Sequence, residues 1–196
     1  MKPMILVSLI ATTPAFAQCP VGADLQNGIR AIESDGVSHV YTAQRNGIVE
    51  VEINSSDGYV SRNLLAQGNH LLQLADVENG MLVPSSITNY SYSTPPATLP
   101  VPSANAVWNT QTIVREGLEI YREIQTQTWG ATFDLTIGAC TYDAIPGKLR
   151  YEREDYSIDE GVYFIPELGF SLLYSYNDDQ STEPDIYTIV LIEAVN

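Results

Sequence analysis

The chain has 196 residues, 24 acidic against 9 basic, a formal net charge of −15 and an apolar share of 44%. That share supports a packed core and excludes a disordered chain. So negative a surface repels nucleic acid and anionic lipid, so neither is an expected partner; it suits solubility in salt, or a cationic ligand.

The amino terminus has the three parts of an export signal. Lys2 precedes an apolar run from Met4 to Ile10, Pro14 ends it, and Ala15-Phe16-Ala17 places small residues where signal peptidase cuts. This predicts a signal peptide over 1–17, with Gln18 as the mature terminus. The run is far short of the roughly 20 residues that span a bilayer. Lipoprotein processing at Cys19 would want a small residue before it, and Gln18 is not small. No later segment is apolar for long enough to form a spanning helix, so a soluble, exported chain is expected, periplasmic or extracellular.

Export gives the two cysteines a meaning. An oxidising compartment favours a bridge between Cys19 and Cys140. It would close a loop worth, by chain entropy, at most about 4–5 kcal/mol.

From there the chain is punctuated. Asp35-Gly36, Asn46-Gly47, Asp57-Gly58 and Asn79-Gly80, with a looser Gly68, supply the positive φ angles of tight hairpins. Between them Val49, Val51 and Ile53 share one face and Glu50 and Glu52 the other, the period of a half-buried strand. The first half, 18–92, reads as a meander of about five strands. A short helix over Leu64 to Leu74 stays open.

Residues 93–105 contain Pro95, Pro96, Pro100 and Pro102 and read as a connector, because proline removes the donors that a central strand needs. Hairpins resume over 106–196, with turns expected at Glu116-Gly117, Trp129-Gly130, Pro146-Gly147 and Glu160-Gly161. Leu118, Ile120, Arg122 and Ile124 alternate with Glu119, Tyr121 and Glu123. The run Ile186 to Ile192 is apolar on both faces apart from Thr188 and is expected inside the sheet.

Catalytic signatures are missing. His39 and His70 are the only histidines, and neither belongs to an H-E-x-x-H or Cys/His cluster. No serine sits in a G-x-S-x-G elbow or an S-x-x-K pair. The acidic loop with Asp178, Asp179, Glu183 and Asp185 offers oxygen ligands for calcium, but lacks the glycine and helices of an EF-hand. It reads first as a solvated hairpin loop. Of 12 tyrosines, Tyr151, Tyr163, Tyr174 and Tyr176 crowd the second half. They are ordinary sheet residues that could also line a ligand groove.

Ile137-Gly138-Ala139-Cys140-Thr141-Tyr142-Asp143-Ala144, followed by Val162-Tyr163-Phe164-Ile165-Pro166-Glu167-Leu168-Gly169-Phe170, resembles a pattern in exported bacterial β-sheet proteins of the TapB-like or DUF3108-like kind. The resemblance spans residues 137–170. It implies a curved antiparallel sheet, an open half-barrel of the sort used by periplasmic lipid carriers. No functional residues carry over from it.

The expectation is therefore all-β: an antiparallel meander forming a curved sheet, half-barrel or sandwich, as one domain after residue 17. The leading function is non-enzymatic binding of a small apolar or amphipathic ligand, or a partner, in the concavity of the sheet. The alternatives are an envelope-associated interaction module without a pocket, and a hydrolase with a spatially assembled site.

Overall fold

The hairpin signals of the first half fold as turns. The computed structural model describes residues 18–195, and the expected leader, 1–17, lies outside them. Asn46 (φ 62°) with Gly47 (φ 72°), and Asn79 (φ 52°) with Gly80 (φ 75°), hold the left-handed backbone that these residues tolerate best. With the turns at Gly36, Gly58 and Gly68 they join β1 (Ile29–Glu33), β2 (Ser38–Ala43), β3 (Ile48–Asn54), β4 (Val60–Ala66), β5 (His70–Glu78) and the short β6 (Met81–Leu82). Leu64 to Leu74 is no helix but the end of β4, a turn over 67–69 and the start of β5. β7 (Thr88–Ser91) then leads through the proline segment to β8 (Val107–Glu116) and β9 (Glu119–Trp129). β10 (Phe133–Ile137), β11 (Cys140–Glu152), β12 (Ser157–Ile165), β13 (Phe170–Asp178), β14 (Asp185–Ile186) and β15 (Ile189–Ala194) complete the chain.

All fifteen strands belong to one antiparallel sheet that is not closed into a barrel. The order is β14-β13-β12-β11-β9-β8-β7-β5-β4-β3-β2-β1-β15, with β10 beside β11 and β6 beside β5. The two ends of this order are consecutive in sequence. Only Tyr187 and Thr188 separate β14, paired with β13, from β15, paired with β1. Tyr187 N–H donates to Tyr174 O at 2.9 Å, and Ser34 N–H donates to Thr188 O at 2.9 Å. The apolar run expected inside the sheet is thus this bridge between its edges. Ile186, Val190 and Leu191 are exposed there, and only Ile192 is buried.

Rolling of the sheet brings its halves into contact. The Tyr41 ring of β2 stacks on Phe170 of β13 with centroids 3.9 Å apart. Ser171 N–H donates to Gly68 O at 2.9 Å. A β-carbon on Gly68 would lie 2.0 Å from Gly169 O, so only glycine lets the β4–β5 and β12–β13 turns touch. Ile29, Ala31, Val51, Ile165 and Leu172 fill the space around this contact. Burying each large side chain is worth about 1.5–3 kcal/mol. The Cys19–Cys140 disulfide ties the described amino end to the start of β11, and Tyr142 Oη–H donates to Pro20 O at 3.0 Å beside it.

The second half departs from its sequence pattern in two ways. Pro146-Gly147 and Glu160-Gly161 are not turns but lie within β11 and β12, and Trp129-Gly130 only ends β9. The turn expected at Glu116-Gly117 forms at Gly117, and the others fall at Gly138, Arg153–Tyr156 and Gly169. Gly147 and Gly161 serve packing: a β-carbon on Gly147 would lie 2.4 Å from the Trp129 ring, which rests on its strand. The second departure is β9, which folds with its polar side inward. Ile120 is 68% exposed and Leu118 98%, whereas Glu123, Gln125 and Gln127 are buried at 3% exposure or less.

Candidate functional site

The polar side of β9 faces inward because partners await it there. Glu123 Oε2 accepts from Arg153 Nε at 3.2 Å and its Oε1 from Gln125 Nε2 at 2.9 Å. The Arg153 guanidinium lies 3.8 Å from the centroid of the Tyr121 ring, a cation–π contact. The Tyr92 hydroxyl sits 3.0 Å from Gln125 Oε1. Further along runs a chain of donors: Ser171 Oγ to Asn69 Oδ1 (2.8 Å), Asn69 Nδ2 to Gln127 Oε1 (3.1 Å), and Gln127 Nε2 to His70 Nδ1 (3.1 Å). His70 Nε2–H completes it by donating to Pro100 O at 2.7 Å. The chain requires the neutral ring, in which Nδ1 accepts. Burial lowers the His70 pKa accordingly, against the opposing pull of the Pro100 carbonyl. Trp108 meets the same ring edge-on, with centroids 4.8 Å apart.

His39 belongs to a separate pair, its Nε2 2.5 Å from Glu33 Oε1, with both side chains buried. Among the hydrogen bonds of the described residues, no serine hydroxyl reaches either histidine ring. A hydrolytic site needs its nucleophile beside its base; the bonded partners of these two rings are Glu33, Gln127 and Pro100.

Several clefts remain among the described residues. Two shallower-walled ones, of about 490 and 470 Å³, lie beside Gly169 and beside Gly80. Two others take in tyrosines singled out in the sequence. The first is a groove of about 280 Å³ at the seam, where β13 parts from the segment between β14 and β15. Leu135, Ile137, Leu172, Ile186 and Ile189 supply aliphatic walls, and Tyr163 and Tyr174 an aromatic one. Those two rings stack with centroids 4.2 Å apart, and Phe133 meets Tyr163 at 5.4 Å. Burial raises the Tyr163 phenol pKa, with the neighbouring Tyr174 adding to it, so Tyr163 stays a neutral donor at physiological pH.

The second space is a cavity of about 130 Å³ inside the roll, between β2–β5 on one side and β11–β13 on the other. Tyr151 and Glu160 meet there, the phenol donating to Glu160 Oε2 at 3.0 Å. Burial pushes the Glu160 carboxyl up to about 7; the Tyr151 bond pulls it down, and the Glu123 charge raises it again. Burial also lifts the Tyr151 phenol well above its ordinary range.

The four tyrosines singled out in the sequence therefore divide. Tyr163 and Tyr174 share the seam groove, Tyr151 lines the cavity, and Tyr176 pairs with Tyr156 through hydroxyls 3.3 Å apart. The acidic loop turns its first carboxylates onto backbone: Asp178 Oδ1 accepts from the amides of Gln180 and Ser181, and Asp179 Oδ2 from that of Ser157. Glu183 and Asp185 are exposed beyond them. Among the described residues no group of three or more His, Cys, Asp or Glu is gathered for a metal. Glu160 and Glu123 were missed in the sequence, where Glu160 reads as half of a turn with Gly161 and Glu123 as one residue of an alternating strand. No helix among the described residues is long and apolar enough to cross a membrane.

No protein-family model, curated protein or solved structure matches this chain.

Proposed function

We propose that this is an exported, non-enzymatic β-domain that binds a small apolar or amphipathic ligand at the seam of its curved sheet. The observation that carries the reading is the 280 Å³ groove beside the stacked Tyr163 and Tyr174. Apolar walls with a few polar edges are what small-molecule sites use, since the walls supply affinity and hydroxyls fix orientation. A short alkyl chain would bury its length against Leu135, Leu172 and Ile186 and leave a polar end near Tyr163. The Cys19–Cys140 bridge suits the oxidising compartment that export reaches.

Native mass spectrometry of the mature protein from its own host tests this. A co-purifying adduct is expected, lost in a Leu172→Trp variant that fills the groove. An adduct retained at full occupancy in that folded variant would place the ligand elsewhere.

A second reading has its own observation. The outer face of β8 and β9 exposes Ile113, Ile120 and Ile124, with Leu118 at the hairpin tip. Exposed apolar surface of that kind marks interaction sites. If the domain works through this face, Ile120→Ser with Ile124→Ser abolishes association without loss of stability; unchanged association excludes the face.

A further inference from the structure

The inner cavity holds a carboxylate that no cation of the chain meets. The basic groups near it pair elsewhere: Lys148 and Arg150 with Asp159 on the outer face, and Arg153 with Glu123. His39, across the cavity, is taken by Glu33. Glu160 has one oxygen engaged by Tyr151, and none of the hydrogen bonds reaches the other. Asn63 lines the same cavity, and its Oδ1 is buried with no donor. A buried acceptor left unpaired costs about 1–3 kcal/mol, so such groups ordinarily have a partner. Here one such acceptor, Asn63 Oδ1, lines the same space as the solvent-reached free oxygen of the Glu160 carboxylate, and the rest of the wall is aliphatic and aromatic: Val51, Ile53, Leu65, Leu149, Leu173 and Tyr41. Glu160, Tyr151 and Leu173 are surrounded by protein yet keep some accessible surface, so the cavity communicates with solvent.

We infer that this cavity is a second, separate binding site, for a small primary alkylammonium ion. The ammonium donates to Glu160 and Asn63, and its alkyl tail lies on the aliphatic wall. An ammonium has three donors and no acceptor, the complement of what the cavity lacks. A metal fits poorly, because calcium asks for about six to eight oxygens. Size sets the tail: a cavity of about 150 Å³ admits a benzene ring, so a tail of about four carbons is near the limit. The net charge of −15 concentrates cations around the protein.

The test uses n-butylammonium, with n-butanol as its uncharged counterpart, titrated into the mature chain and followed by NMR. Butylammonium is expected to saturate shifts at Tyr151, Leu149 and Asn63. It should bind at least about tenfold tighter than butanol, the worth of a hydrogen bond to a charged group. Glu160→Gln should erase that preference. Affinity should fall as pH drops below 7, as Glu160 takes up its proton. Glu123, Tyr41, Tyr90, Tyr92, Tyr151, Tyr176, Tyr187 and His39 are the other ionisable groups facing this region. Should Glu160→Gln fail to fold, the carboxyl-carbon titration of wild-type Glu160 decides. Its midpoint near 7 should drop by about one pH unit for a tenfold preference for the ionised form. Equal binding of butanol and butylammonium, or an unmoved Glu160 midpoint, overturns the inference. Neither outcome touches the seam groove, whose probe is an uncharged amphiphile.

Discussion

The Tyr174 ring lies across Gly161 of the neighbouring strand, where a β-carbon would come 2.5 Å from Tyr174 Cζ. The register of β12 and β13 shifts between Gly161 and Val162. The absent side chain thus lets Tyr174 lie flat and meet Tyr163, and the seam groove depends on both. Gly161→Ala is expected to cost about 1–3 kcal/mol through overpacking. In the double variant with Tyr174→Ala the ring's share of that cost should vanish, leaving the contact with Ser175 Oγ, which a β-carbon would approach to 2.3 Å. Urea unfolding of the four proteins measures it; simple additivity would mean that the ring does not need the glycine.

The disulfide should matter more than any single side chain. Cys19 and Cys140 are 121 residues apart in sequence, and removing a native bridge from a secreted domain costs about 2–5 kcal/mol. Cys19→Ser with Cys140→Ser should lower the urea midpoint by a corresponding amount without changing the strand content. An unchanged midpoint would show that β1–β15 pairing and the core already hold the amino end.

Glu160 gives stability a pH dependence of definite sign. Its carboxyl is raised from 4.5 to about 7 in the folded protein. The folded state then holds a proton that the unfolded chain releases. This contribution is fully present below about 4.5 and is lost as pH rises through 7. Its size is at most about 3 kcal/mol, because a tenfold change in proton affinity corresponds to about 1.36 kcal/mol. Glu160→Gln should therefore flatten the stability profile between pH 5 and 8, raising stability at the alkaline end. Guanidinium unfolding across that range checks it, and an identical slope in the variant would sink the assignment.

His70 acts in the opposite sense. Its pKa is lowered by burial, so its contribution is present above the ordinary value near 6.5 and is lost as pH falls below it. Replacing it should also orphan two groups, Gln127 Nε2 and Pro100 O. His70→Leu is expected to cost about 2–4 kcal/mol at pH 7.5, and the penalty should shrink in acid. Thermal unfolding at two pH values reads both effects.

The first half was legible because its turns are local. Asn46-Gly47 and Asn79-Gly80 need positive φ, a demand written in two residues. Gly147 and Gly161 carry the same letter for another reason, room for Trp129 and Tyr174 across the strand pair. That reason exists only once the register is set. The orientation of β9 was hidden likewise. Its alternation showed two faces, but which one points inward was decided by Arg153, Tyr92, His70 and Asn69, brought in from distant turns and strands. Ile186 to Ile192 looked interior because it is apolar, and became a bridge because the roll leaves two edges there. Of the candidate site, Tyr163 and Tyr174 were visible as tyrosines, while the gap beside them belongs to the seam where the two edges of the rolled sheet approach.

The most direct measurement is an NMR titration of the mature protein with 1-octanol, an uncharged amphiphile short enough for the groove. Saturable shifts confined to Leu135, Leu172, Ile186 and Ile189, lost in Leu172→Trp, are the predicted result. Weak, unsaturated shifts spread over the surface, or shifts confined to the outer face at Ile120 and Ile124, would contradict a ligand site at the seam.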